Sequence, residues 1–215
     1  MELWMLGCGL CCIPLFPLHL IGVNVGTFVI DYVEYYLATF LCKVFLGNVS
    51  VAGTSNVPGR RGEGGAVVYC MNHQSMVDII VMYFLNQRAV WIAKKSVSFL
   101  PGVGQVMVLG RHILLDRNGR SSIKEMYKLA KDKLFHNTSI YIFPQGTRSR
   151  VKTLPFKHGG FSIALETGAD VIPVSVFIDK DAWSGWFPLL SSKPIAKVSE
   201  TFKLVEAQFL SYKTK

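Results

Sequence analysis

The chain has 215 residues, half of them hydrophobic, and 23 Lys and Arg against 14 Asp and Glu, a formal charge of +9. That length suits one domain with an appendage, and the charge favours anionic partners such as phospholipid head groups or phosphorylated substrates. The five cysteines come without a His-x3-His or a second Cys-x2-Cys set, so neither a zinc site nor a disulfide scaffold is expected.

The charge is uneven along the chain. Residues 1–50 hold one base, Lys43, against Glu2, Asp31 and Glu34, and the remainder carries 22 bases and 11 acids. The 28 residues between Glu2 and Asp31 contain no charged side chain, and ~20 apolar residues suffice to cross a bilayer core. A secretory leader would begin with positive charge, whereas the early charge here is Glu2. Pro14 and Pro17 each lack a backbone donor and disfavour continued helix, so the front is expected to divide into a helix over about 3–13 and a longer one over about 18–45. Two membrane-associated arrangements fit: a single kinked span, or a monotopic hairpin that dips into one leaflet and returns. VAGTSNVPGRRGEGG (51–65) reads as a turn-rich connector. The expected division is a helical membrane-associated segment, 1–48, and an α/β domain, 49–215.

The body alternates. AVVYCM (66–71) is an apolar strand, and SMVDIIVMYFLNQ (75–87) is apolar at helical spacing. AVWIA (89–93) and HILLD (112–116) are strands, separated by a stretch punctuated by Gly and Pro. In 121–135, Ile123, Met126, Tyr127, Ala130 and Leu134 form one stripe opposite lysines, an amphipathic helix. SIYIF (139–143), FKHGGFSIALETG (156–168) and VIPVSVFI (171–178) continue as strand, helix and strand. Such alternation predicts an α/β fold, a mostly parallel or mixed sheet flanked by helices. Beyond about residue 180 the pattern weakens.

Three motifs fall at strand ends, where open α/β sheets bind ligands. In NHQSMVD (72–78), His73 has the chemistry of a general base, and Asp78 that of the carboxylate fixing its tautomer. The same letters also read as a helix start, with Ser75 and Asp78 as a capping box. YIFPQGTRSR (141–150) runs a strand into a turn with free amides, a hydroxyl and guanidinium groups, a fitting phosphate cradle. GRHILLDR (110–117) ends in Asp116 and Arg117. Other chemistries fail. GVGQVMVLG (102–110) has Met107 where a dinucleotide loop needs its third glycine, and no strand leads directly into it. GFSIA (160–164) would need a later histidine to serve as a nucleophile elbow, and the last one is His158. No aromatic and basic interleaving marks a nucleic-acid platform, so no nucleic-acid partner is expected.

Taken in order, His73-x4-Asp78, ILLDR (113–117), FPQGTRS (143–149), LPFKHG (154–159) and VIPV (171–174) resemble the phospholipid/glycerol acyltransferase family, most closely its 1-acyl-sn-glycerol-3-phosphate acyltransferases. The resemblance spans about 66–178. It implies a helical pair seating the domain on membrane lipids, and acyl transfer from acyl-CoA or acyl-ACP to the free hydroxyl of lysophosphatidic acid, without cofactor or metal. By position, it implies His73 as base and Asp78 as its partner. Lys94, Arg117, Gly146, Thr147 and Arg148 would hold the phosphate, and Asn72, Gln145, Ile172 and Pro173 would line the acceptor or acyl pocket. One departure is Gln145, where the family usually carries Glu; Gln keeps shape and an acceptor but not the charge. That departure opens a second reading, a non-catalytic acyltransferase-like subunit bound to other subunits of a membrane complex.

Overall fold

In the computed structural model, residues 7, 9–45, 49–58, 64–116, 120–149, 154–177, 183–184, 187–188 and 195–198 are described. The seven-stranded sheet has the order β1-β9-β6-β2-β5-β3-β4. Its strands are β1 (Ser50–Ala52), β2 (Val68–Met71), β3 (Ala89–Lys94), β4 (Ile113–Leu115), β5 (Ser139–Ile142), β6 (Val171–Phe177) and β9 (Ile195–Val198). All neighbours are parallel except β6 and β9. A separate two-strand ribbon pairs β7 (Trp183–Ser184) with β8 (Phe187–Pro188). The mixed sheet agrees with the expected fold class.

Parallel strands are buried on both faces, and successive residues alternate between two cores. Tyr69, Met71, Trp91, Tyr141, Ile172 and Val174 face one core, while Val68, Cys70, Val90, Ile140 and Val171 face the other. The second core is closed by helix α6 (Arg120–Phe135) through Met126, Ala130 and Leu134, and by α7 (Gly159–Thr167) through Ile163 and Ala164. The first is closed by α4 (Val77–Met82), α5 (Val103–Leu109) and the N-terminal helices. Helix α6 is where the lysine-opposed stripe was expected. By contrast α5 lies in the stretch punctuated by Gly and Pro, to which the sequence assigned no element. The reason is packing: a Cβ on Gly104 would lie 2.1 Å from the Ser98 carbonyl oxygen, so the glycine permits a close approach instead of ending a helix.

The front differs from expectation in where it breaks. Pro14 and Pro17 lie in the first turns of the 3-10 turn Ile13–Leu15 and of α1 (Phe16–Leu20), where a missing N–H costs nothing. Helix α1 ends at Leu20, not near Pro17, and the chain resumes helix at α2 (Gly26–Phe28), whose first N–H is accepted by the Asn24 side chain at 3.2 Å. Helix α2 continues through a π-helical turn, Val29–Glu34, into α3 (Tyr35–Phe45). A Cβ on Gly7 would lie 3.1 Å from Leu37, so the two segments run side by side. No helix among the described residues is long and apolar enough to cross a membrane.

The inner side of this pair is part of the first core: Cys12, Val25, Val29, Ala38 and Cys42 are buried in it. Polar contacts add to the apolar ones. The Arg88 guanidinium donates from Nε and a terminal nitrogen to Asp31, the closest contact being 2.6 Å. The outer side is apolar and exposed along Phe28, Tyr32, Tyr36, Phe40 and Val44, and at Leu20, Ile21 and Val23 where α1 ends.

The cysteines are inert hydrophobes where they are buried. Burial pushes the thiols of Cys42 and Cys70 up to about 12, leaving about 10⁻⁴ of each as thiolate at pH 8. Brief alkylation of the native protein at pH 8 is therefore expected to label exposed Cys11 and spare Cys42 and Cys70 until denaturant is added. Peptide mass spectrometry reads the result, and native labelling of Cys70 at the rate of Cys11 would contradict the burial.

Candidate active site

The C-terminal ends of β2 and β5, adjacent in the sheet, deliver two of the motifs side by side. From β2 the chain turns through Asn72–Met76 into α4. The turn is tied down by Asp78, which is fully buried. Its Oδ2 accepts from the Gln74 N–H at 2.6 Å, the Ser75 N–H at 2.8 Å and the Nδ1 of His73 at 3.0 Å. Oδ1 accepts from the Ser75 hydroxyl at 3.3 Å, and that hydroxyl in turn accepts from the Val77 N–H. The contacts that start the helix and the contact to the imidazole thus share one oxygen of Asp78.

With Nδ1 donating to Asp78, the other ring nitrogen, Nε2, is left as the basic one. The His73 side chain keeps 13% of its surface open, against 0% for Asp78. The Phe143 ring stacks on it at 3.8 Å between centroids and 17° between planes. Its backbone is held by the neighbouring motif: the His73 N–H donates to Gln145 Oε1 at 3.3 Å, and its carbonyl accepts from the Ser149 N–H at 3.0 Å.

Gln145 is therefore turned inward. Its amide nitrogen donates to the Leu154 carbonyl at 3.4 Å. A glutamate could accept from His73 but would set a carboxylate against that carbonyl. Asn72 is engaged too: its amide exchanges two bonds with the Val176 backbone, at 2.9 and 2.7 Å, clasping the β2 turn to β6. Ile172 and Pro173 lie within β6, opposite Tyr69 and Cys70. Ile172 is fully buried beneath the site and Pro173 half-buried. Pro173 precedes the residues that pair with β9, so its missing N–H faces no strand on that side.

The proposed phosphate cradle is open. Gly146 turns the chain at φ +73°, a conformation other residues adopt only with strain. Thr147 and Arg148 beyond it are exposed. Lys94 ends β3, on the same edge of the sheet and also exposed. Arg117 lies outside the described residues. The sequence reading passed over Lys157. Its N–H donates to the Pro144 carbonyl at 2.8 Å, and its Nζ would lie 2.9 Å from a Cβ on Gly146. The ammonium thus rests over the turn, and LPFKHG was the signal that could have found it. Among the described residues, Lys94, Arg148 and Lys157 form no ion pair. No group of His, Cys, Asp and Glu among the described residues is arranged to hold a metal.

Known proteins are similar to this chain in sequence and in fold. The acyltransferase family model matches residues 48–177. The 1-acyl-sn-glycerol-3-phosphate acyltransferase of Cocos nucifera is 35% identical over 130 residues, 59% of this chain and 42% of that one. Its Escherichia coli namesake is 37% identical over 118 residues, 52% and 47% respectively. That of Helicobacter pylori is 33% identical over 144 residues, 66% and 58%. The chain thus spans about half the length of these relatives. The crystal structure of the 1-acyl-sn-glycerophosphate (LPA) acyltransferase PlsC from Thermotoga maritima superposes with a TM-score of 0.63 at 28% identity, over 85% of this chain and 73% of that one. With the family model covering more than half of the chain, the chain belongs to the acyltransferase family.

Proposed function

We propose that this chain transfers a fatty acyl group from an acyl thioester, acyl-CoA or acyl-ACP, to the free hydroxyl of lysophosphatidic acid, giving phosphatidic acid. The observation that carries the reading is the His73–Asp78 pair at 3.0 Å, set on the same sheet edge as the open cations Lys94, Arg148 and Lys157. The relatives' names supply the acceptor.

The chemistry follows from the groups present. His73 Nε2 takes the proton of the acceptor hydroxyl as its oxygen attacks the thioester carbonyl. Asp78 stabilises the imidazolium that forms. The tetrahedral intermediate expels the thiolate, which takes the proton back from Nε2. The products are the ester and a free thiol, and no acyl-enzyme forms. The open cations and the Gly146 turn hold the acceptor's phosphate and bring its hydroxyl to His73. The exposed apolar side of α2 and α3 would seat the protein on the membrane that holds its substrates. The second reading, a non-catalytic subunit, took its motive from Gln145. Gln145 supports the backbone of an assembled His–Asp pair, which favours the enzyme.

Thiol release from acyl-CoA by the detergent-solubilised protein is expected to depend on lysophosphatidic acid. His73→Ala and Asp78→Asn are each expected to lower it by about 10²–10⁴-fold. Release by wild type no faster than by His73→Ala, with the protein folded, would sink the proposal.

Lys157→Gln tests the cradle. Losing one charge-assisted bond to phosphate costs about 1.5–3 kcal/mol, so KM for lysophosphatidic acid should rise by about tenfold or more. KM for an acceptor lacking the phosphate should stay within twofold or so. Equal effects on both acceptors would remove Lys157 from the phosphate site.

Membrane seating is tested on the surface, because removing residues 1–45 would also remove Asp31 and the buried residues of α2 and α3. Phe28→Ser, Tyr36→Ser and Phe40→Ser together are expected to weaken vesicle binding in high salt by about a hundredfold, at ~1 kcal/mol for each partly inserted ring. Unchanged flotation with vesicles would show that the body, not this helix, makes the contact.

A further inference from the structure

Glu34 is fully buried in the π-helical turn of the N-terminal helix, far from the reacting atoms in sequence and outside every motif named above. Both of its carboxylate oxygens are in use. Oε2 accepts from the Tyr83 hydroxyl at 2.5 Å, and Oε1 meets His112 Nε2 at 2.6 Å. The backbone N–H of Trp91 donates to His112 Nδ1 at 2.9 Å. That nitrogen therefore offers its lone pair, the ring proton sits on Nε2, and Nε2 is the donor to Glu34. On the other arm, the Trp91 indole N–H donates to the Tyr83 hydroxyl oxygen at 3.1 Å.

The two arms thus close on one residue. Glu34 holds the Trp91 indole through Tyr83 and the Trp91 backbone through His112. The indole stacks on Phe143 at 5.4 Å and 20°, and Phe143 stacks on His73 at 3.8 Å and 17°. Asp78 fixes one edge of the imidazole, and the Trp91–Phe143 stack fixes its plane. Tyr83 also follows directly on α4, the helix that carries Asp78. A carboxylate with no water contact is costly unless donors satisfy it. Here every donor that satisfies it belongs to the framework behind the base.

We propose that Glu34 is a positioning residue for His73, setting the plane of the imidazole through Tyr83, His112, Trp91 and Phe143. The N-terminal helix would then be part of the catalytic framework as well as the side of the protein that faces the membrane. The inference rests on His73 being the base of the proposed acyl transfer.

The test compares Glu34→Gln, Tyr83→Phe and the double variant with wild type. Glutamine keeps the volume but turns one acceptor into a donor facing another donor. Each single variant is expected to remain folded and to lower kcat by about 10–100-fold, the scale of a misplaced catalytic group, with KM for both substrates within about threefold. The double variant should be no worse than the poorer single one, because both act through one path. The ring signals of His73, assigned by their loss in His73→Asn, should shift in both single variants. Wild-type kcat in folded Glu34→Gln, fully additive losses in the double variant, or unmoved His73 signals would each overturn the proposal. Should Glu34→Gln fail to fold, Tyr83→Phe alone carries the same outcomes. Should wild type show no acyl transfer, the proposed function fails while the His73 signals still judge the positioning role.

Discussion

Everything at the site hangs on one carboxylate oxygen, Oδ2 of Asp78. A buried carboxylate must be surrounded by donors or it destabilises the fold. Here two backbone N–H groups and an imidazole converge on it. The backbone donors are those a chain leaves unsatisfied when it passes from strand to helix. Folding the turn and orienting the imidazole are therefore one event. The five-residue offset from His73 to Asp78 follows: it lets the chain double back between the end of β2 and the first turn of α4.

What the sequence made legible was local. Apolar runs marked β2, β3, β5 and β6 because strands buried on both faces have no polar side to show. The motifs at their ends could be placed for the same reason. What stayed hidden depends on partners distant in the chain. Strand β1 is short, partly exposed and paired only with β9, some 145 residues on, so nothing nearby marks it. Helix α5 was masked by glycines whose purpose, the contact with Ser98, exists only after packing. Lys157 reaches the Gly146 turn because the chain loops back from β5, which spacing alone does not reveal. Glu34 lies 49 and 78 residues from the groups it binds, and in sequence it read as a stray acid in an apolar stretch.

That stretch has two unlike sides. Among its described residues the acids are Asp31 and Glu34, and both face the body, one pairing with Arg88 and the other with Tyr83 and His112. The rings of Phe28, Tyr32 and Tyr36 face outward, with centroids 5.2 and 6.2 Å apart along the helix. A helix with aromatic rings outside and charge inside is inverted relative to an ordinary surface helix. This explains why hydropathy suggested a span, although the helix is docked on the body by buried apolar residues together with Asp31 and Glu34. The apolar surplus belongs to the outer face, where lipid can take the place of water.

The π-helical turn sets the phase of that helix. Steps of four residues in a regular α-helix overshoot a full rotation by about 40°, so rings at 28, 32, 36, 40 and 44 would wind steadily round the axis. A wider turn between Phe28 and Tyr35 takes back part of that rotation. Such a turn is an α-helical turn holding about one residue more. Deleting one residue from it can therefore be absorbed by a return to regular α-helical winding, with α2 and α3 kept nearly in phase and the composition and hydropathy almost unchanged. What the deletion would remove is the wide turn that carries Asp31 to Arg88 and Glu34 to Tyr83 and His112. The outer face of this helix is thus less sensitive to a single-codon deletion here than the buried acids are.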